Sequence, residues 1–201
     1  MSNFQQRDAR QPAFWDERFE QQFTPWDKGA VPQQFRQFIA HSEAGSVLIP
    51  GCGNAYEAGF LAQQGWQVEA IDFSAAAVHS AQHVLGPWAK LVTQADFFEF
   101  TPAQPLALIY ERAFFCALPP EFRPRIVQRW AALLPVGATL AGYFYLDENP
   151  LHSPKGPPFL THTDSLMQMM SLYFQLEQEQ PSLDALEVFA GKERWQVWRR
   201  K

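Results

Sequence analysis

Four short apolar runs lacking the strict alternation of a half-exposed strand punctuate the first half of the chain: Ser46–Pro50, Gln67–Ile71, Lys90–Ala95 and Leu106–Tyr110. Such runs mark strands covered on both faces, as in a parallel sheet between helix layers. Helical stretches separate them. Within Asn54–Gln64, Tyr56, Phe60 and Leu61 share one stripe that Gly65 closes; Ser74–Leu85 opens on a capping serine and stops at Gly86-Pro87. Strand, helix, strand, helix, strand predicts a right-handed, doubly wound α/β sheet. Glu121–Leu134 adds a helix, ended by Pro135-Val136-Gly137, ahead of a strand at Ala138–Tyr145.

The pattern then changes. Asp147–Pro158 is rich in proline, and because periodic segments follow it, the stretch 147–160 is expected to act as a lid rather than a linker. Thr163–Ser171 reads as a helix whose Met167, Met169 and Met170 face the core. Tyr173–Gln180 and Glu193–Arg200 read as an antiparallel hairpin at the sheet edge. The first 40 residues, with Trp15, Phe19 and Trp26, precede the first strand and are expected to cross the top of the sheet as a helical arm. A single domain is expected over 1–201, with the arm at 1–40 and the core at 45–201.

Composition narrows the function. Of the 201 residues, 47% are hydrophobic and 18% charged, a globular balance, and the net charge of −5 argues against a nucleic-acid partner. No apolar run approaches the roughly 20 residues that span a bilayer, and the N-terminus lacks the basic-then-apolar order of a secretory signal. Cys52 and Cys116 make no disulfide framework and fit a reducing cytoplasm. An aromatic fraction of 15% serves either a Phe-rich core or a flat apolar ligand pocket.

The most informative stretch is Val47-Leu48-Ile49-Pro50-Gly51-Cys52-Gly53-Asn54-Ala55-Tyr56, a strand running into a glycine turn that opens a helix. Asp72, at the end of the next strand, stands where an acid accepts hydrogen bonds from both hydroxyls of an adenosine ribose; the competing role is an N-cap of the following helix. A dinucleotide site wants a third glycine where Tyr56 stands, and no Gly-Lys-Ser or Gly-Lys-Thr phosphate loop exists. S-adenosylmethionine, an adenosine ligand without phosphate, remains. Asp96-Phe97-Phe98 after the third strand suits an adenine amino group and its ring face, the alternative being a cap followed by core phenylalanines. His79 and His83 have two-histidine spacing, but Ser80 follows His79, so they read as a solvated helix face. The two cysteines read as small buried hydrophobes.

With these residues in place, the chain resembles the class I S-adenosylmethionine-dependent methyltransferases. More narrowly, it resembles the thiopurine S-methyltransferase superfamily on its plant-type thiol and halide methyltransferase branch. The marks are Trp15, Phe19, Thr24-Pro25-Trp26-Asp27-Lys28-Gly29, Pro50-Gly51-Cys52-Gly53, Ala70-Ile71-Asp72-Phe73-Ser74 and Ala95-Asp96-Phe97-Phe98. They continue through Tyr110-Glu111-Arg112-Ala113-Phe114-Phe115-Cys116-Ala117-Leu118-Pro119 to Gly156-Pro157-Pro158-Phe159. The resemblance implies a mostly parallel seven-stranded sheet and methyl transfer to a thiol or similarly soft nucleophile, such as a thiopurine, sulfide or halide. It also implies cofactor contacts at Trp15, Phe19, Trp26, Gly51, Gly53, Asp72, Phe73, Asp96, Phe97 and Arg112.

Three departures stand out. Phe19 replaces a tryptophan, Ile49 replaces the acid common before the glycine turn, and Glu111-Arg112 lies between the Asp-Tyr and Asp-Arg of the two branches. For a thiol acceptor the attacking species is the thiolate, and Arg112, His152 and Lys155 are the cations or bases that would favour it. The bland alternatives are a surface ion pair between Glu111 and Arg112 and an exposed loop histidine. The expected partner is a small-molecule acceptor, with the chain a monomer or weak oligomer. Methyl transfer to nitrogen or oxygen of a small metabolite, and a non-catalytic S-adenosylmethionine-binding module, are the competing functions.

Overall fold

The computed structural model describes residues 4–148 and 156–201. Two helices, α1 (Pro12–Glu20) and α2 (Gln33–Ala40), precede the alternation of β1 (Ser46–Pro50), α3 (Tyr56–Gln63), β2 (Gln67–Asp72), α4 (Ala75–Leu85) and β3 (Val92–Gln94). Then come β4 (Leu108–Arg112), α5 (Arg123–Leu133), β5 (Thr139–Asp147), β6 (Thr161–His162), α6 (Thr163–Met170), β7 (Phe174–Pro181) and β8 (Glu193–Arg200). The strands run in the order β3-β2-β1-β4-β5-β8-β7, with two-residue β6 beside β5. All pairings are parallel except those of β8 with β5 and β7. The chain steps outward from β1 to β3, then starts again at β4 on the other side. The turns leaving β1 and β4 therefore diverge and open a crevice between them, the topological switch point of an open α/β sheet.

Side-chain alternation explains the continuous apolar runs. In β1, Val47 and Ile49 join one buried layer with Phe35 of α2, Leu61 of α3 and Ala81 of α4. Leu48, between them, faces the other layer, with Ile126 and Trp130 of α5 and Leu166 and Met170 of α6. Phe35 stacks on Tyr110 of β4 with ring centroids 3.9 Å apart, and Trp130 stacks on Phe115 at 5.4 Å.

Several expectations need correction. The third strand is shorter than Lys90–Ala95 because Gly86–Leu91 winds into a 3₁₀ turn begun by Pro87. The fourth begins later than Leu106 and continues through two charged residues, since Glu111 and Arg112 keep the ladder with Gly142 and Tyr143 of β5. Sheet pairing, not apolarity, sets that end. The second helix of the N-terminal 40 residues lies in a core layer through Phe35 and Ile39 rather than across the top of the sheet. β6 adds an eighth strand to the expected seven. Among the described residues, no helix is long and apolar enough to cross a membrane.

Gly142 marks a close approach of β5 to β4: a Cβ there would lie 2.7 Å from the Cβ of Glu111 and nearer still to its backbone carbonyl. Gly142→Ala should therefore destabilise the chain by about 1–3 kcal/mol, read as a lowered midpoint in urea unfolding.

Candidate active site

The turn after β1 adopts a conformation that favours glycine. Gly51 and Gly53 have φ of +57° and +51°, and Ala55 follows at +55°. A Cβ on Gly51 would lie 2.5 Å from the ring of Phe114, which comes from the turn after β4. The absent side chain lets that ring close on the turn, and a cavity of about 230 Å³ lies beside them at the switch point. Gly51, Gly53, Asp72 and Phe73 line its β1–β2 side, Asp96 and Phe97 the end of β3, and Arg112 the end of β4. Trp15, Phe19 and Trp26 close it from the arm, and Pro157 and Pro158 from the later loop. His152 and Lys155 lie outside the described residues.

Asp72 is buried between two turns. Its Oδ2 accepts the N–H of Gly53 at 3.1 Å and its Oδ1 the N–H of Ser74 at 3.0 Å. Ser74, not Asp72, caps α4, its hydroxyl accepting the N–H of Ala77 at 3.1 Å. Burial raises the Asp72 pKa to about 6, with the Ser74 and Gly53 N–H groups opposing and nearby Asp16 adding to the rise. Each oxygen takes one N–H and keeps acceptor capacity for a ligand hydroxyl. Asp96 is exposed, and its Oδ1 accepts the N–H of Phe98 at 2.8 Å, closing a local turn rather than capping a helix. Phe97 is core and cavity wall at once, packed edge-on against Phe98 and Phe114 with centroids 5.4 and 5.1 Å away.

The arm's rings meet edge to face, Trp15 to Trp26 at 5.4 Å and Phe19 to Trp26 at 6.2 Å. The Trp15 indole N–H donates to the carbonyl of Ala9 at 2.9 Å, leaving its faces for packing. Asp27 fastens the arm to the glycine turn by accepting from the Asn54 side chain and, at 3.3 Å, from the Tyr56 hydroxyl.

Arg112 and Glu111 do not form the surface ion pair considered above, because successive strand residues face opposite layers. Glu111 is fully buried with Oε1 accepting the N–H of Phe115 at 2.7 Å, and burial raises its pKa to about 8, so its neutral acid predominates at pH 7. Arg112 lies over the Tyr143 ring at 5.1 Å, with Nη1 3.8 Å from Oε1 of Glu57. Its side chain is 10% exposed, and neither terminal nitrogen has a hydrogen-bond partner. Burial also raises the pKa of Glu57, which Arg112 opposes. Burial pushes both cysteine thiols well up, keeping them neutral, and His79 and His83 are exposed on α4.

Asp16, Asp27 and Glu57 received no individual role from the sequence. Glu57 had a usable signal: an acid in the first turn of the helix that a glycine turn opens.

Residues 10–201 match the family model described as thiopurine S-methyltransferase. A relative described as "Probable thiol methyltransferase 2" of Arabidopsis thaliana is 32% identical over 152 residues, which cover 72% of this chain and 66% of that protein. A thiopurine S-methyltransferase of Shewanella loihica is 28% identical over 188 residues, 83% of this chain and 85% of its own length. In fold, the chain is similar to 1,6-didemethyltoxoflavin-N1-methyltransferase of Burkholderia thailandensis, solved with bound S-adenosylhomocysteine. The TM-score is 0.73 at 13% identity, covering 100% of this chain and 93% of that one. Matched from residue 10 through residue 201, this chain belongs to the thiopurine S-methyltransferase family.

Proposed function

We propose that the cavity binds S-adenosylmethionine and that the chain transfers its methyl group to a small thiol or comparably soft nucleophile. The observation that carries this reading is the convergence of Gly51, Asp72, Phe97 and Arg112, from the ends of four strands, on one cavity. The residues fit the cofactor. The Gly51 turn has no side chain between its backbone and the Phe114 ring, Asp72 offers two partly used carboxylate oxygens, and Arg112 presents two buried nitrogens without hydrogen-bond partners. Asp72 would hold the ribose hydroxyls, Phe97 and Asp96 the adenine, Gly51 and Gly53 the methionyl portion, and Trp15 and Trp26 the side of the sulfonium.

When bound, S-adenosylmethionine supplies a methyl already activated on a sulfonium, so no nucleophile is required of the protein. The chain's work is placement, a contribution that reaches about 7–11 kcal/mol in well-oriented reactions. The faces of Trp15 and Trp26 attract a cation by about 0.5–2 kcal/mol while helping to keep water out. A free thiol has a pKa near 8.5 and ionises only slightly at neutral pH. The guanidinium of Arg112, paired with Glu57 yet with no hydrogen bond on either terminal nitrogen, supports the thiolate or another anionic group. Two free thiols, Cys116 buried and Cys52 half-buried, support placing the enzyme in the reducing cytoplasm.

Four outcomes are expected. Asp72→Ala should weaken S-adenosylmethionine binding by about 2–3 kcal/mol, roughly 30- to 150-fold, in calorimetry. Wild-type affinity should fall as pH drops below about 6, where the raised Asp72 pKa protonates the ribose acceptor. Arg112→Met should lower kcat/KM by at least about tenfold. Cofactor titration of that variant then assigns the loss to the cofactor carboxylate or to the acceptor. Labelled methyl should reach thiols, sulfide or iodide in preference to amines and alcohols; label only on the latter would overturn the acceptor class.

A further inference from the structure

Helix α1 sends neighbouring residues to two places. Trp15 lines the cavity, while Asp16 reaches α4, where its Oδ1 accepts the Ser74 hydroxyl at 2.6 Å and the N–H of Ala76 at 3.1 Å. A serine hydroxyl has one proton, and here Asp16 takes it, leaving the oxygen lone pairs for Ala77. The backbone N–H of Ser74 is bound to Asp72, whose other oxygen holds the N–H of Gly53. One chain of hydrogen bonds thus runs from Asp16 through Ser74 and Asp72 to the glycine turn. An acid at this helix start is also favoured by the helix dipole.

We propose that Asp16 is a positioning residue of the cofactor site, capping α4 from the arm and fixing Asp72 through Ser74, so that docking of α1 and capture of the ribose are one event. The inference rests on the proposed reading of the cavity as an S-adenosylmethionine site. The other fastenings of the arm do not share this route. Glu17 accepts the N–H groups of Gln5 and Gln6, and Asp27 binds Asn54 and Tyr56. Ionisable groups that act with Asp72 include Asp16 from α1 and the neutral Cys52 thiol from the glycine turn.

The test is calorimetry of S-adenosylhomocysteine with wild type, Asp16→Ala, Asp16→Asn and Glu17→Gln. Steady-state kinetics and amide hydrogen exchange without cofactor accompany it. Asp16→Ala should weaken binding about tenfold and raise the KM for S-adenosylmethionine about as much, with kcat at saturation changed less than about twofold. Exchange at residues 74–77 should quicken. Glu17→Gln should bind like wild type. Asp16→Asn keeps an oxygen that accepts both bonds, so most affinity should return. Removing the charge beside Asp72 should move the pH at which affinity falls to a lower value, a shift that a purely structural anchor would not produce. Wild-type affinity in Asp16→Ala, an equal loss in Glu17→Gln, or an unmoved pH profile in Asp16→Asn overturns the inference. Should Asp16→Ala fail to fold, the pH profile of Asp16→Asn still decides. Failure of wild type to bind S-adenosylhomocysteine instead overturns the reading of the cavity.

Discussion

A buried carboxylate needs donors, and the crevice is arranged around that need at Asp72. The two N–H groups that answer it come from different turns, Gly53 after β1 and Ser74 before α4. Holding Asp72 therefore also fixes the separation of the two loops bordering the crevice. The glycine turn must leave β1 in a left-handed conformation to aim the Gly53 N–H back at β2. The glycine turn read from the sequence is here a bracket around an acid.

Burial sets a balance at the same point. Removing the carboxylate from water raises its pKa to about 6, and the two N–H groups keep the rise from going further. Burial carries Glu111 further, to about 8, with nearby Glu193 adding to the rise against the Phe115 and Phe114 N–H groups, so it holds a proton at neutral pH. Two acids close to the switch point thus take different charge states, because burial outweighs the backbone donors further at Glu111 than at Asp72.

The alternation of strands and helices was legible because buried parallel strands leave continuous apolar runs and glycine or proline closes each helix. Strand ends were not. Glu111 and Arg112 are polar, so nothing local marks them as strand, yet pairing with β5 extends the ladder through both. The cavity was legible where chemistry is local to a strand end: Gly51, Asp72, Asp96 and Phe97 each follow a recognisable run. The links made by Asp16 and Asp27 join residues distant in sequence through single hydrogen bonds, and such bonds leave no periodic trace. The assignment of Glu111 and Arg112 to opposite layers followed from β4 continuing, which the apolar pattern concealed.

β8 lies between β5 and β7, so after β5 the chain lays β6 beside β5 and β7 at the sheet edge before it returns as β8 next to β5. That excursion carries Pro157, Pro158 and Phe189 to the cavity wall. Because its two ends are pinned side by side, lengthening it costs little, about 0.6 kcal/mol of closure entropy per doubling of a flexible loop. The bracket around Asp72 belongs to the first half of the sheet and is untouched by such changes. The architecture thus lets one wall of the cavity diversify in length and sequence while the hydrogen-bonded frame of the other stays as it is.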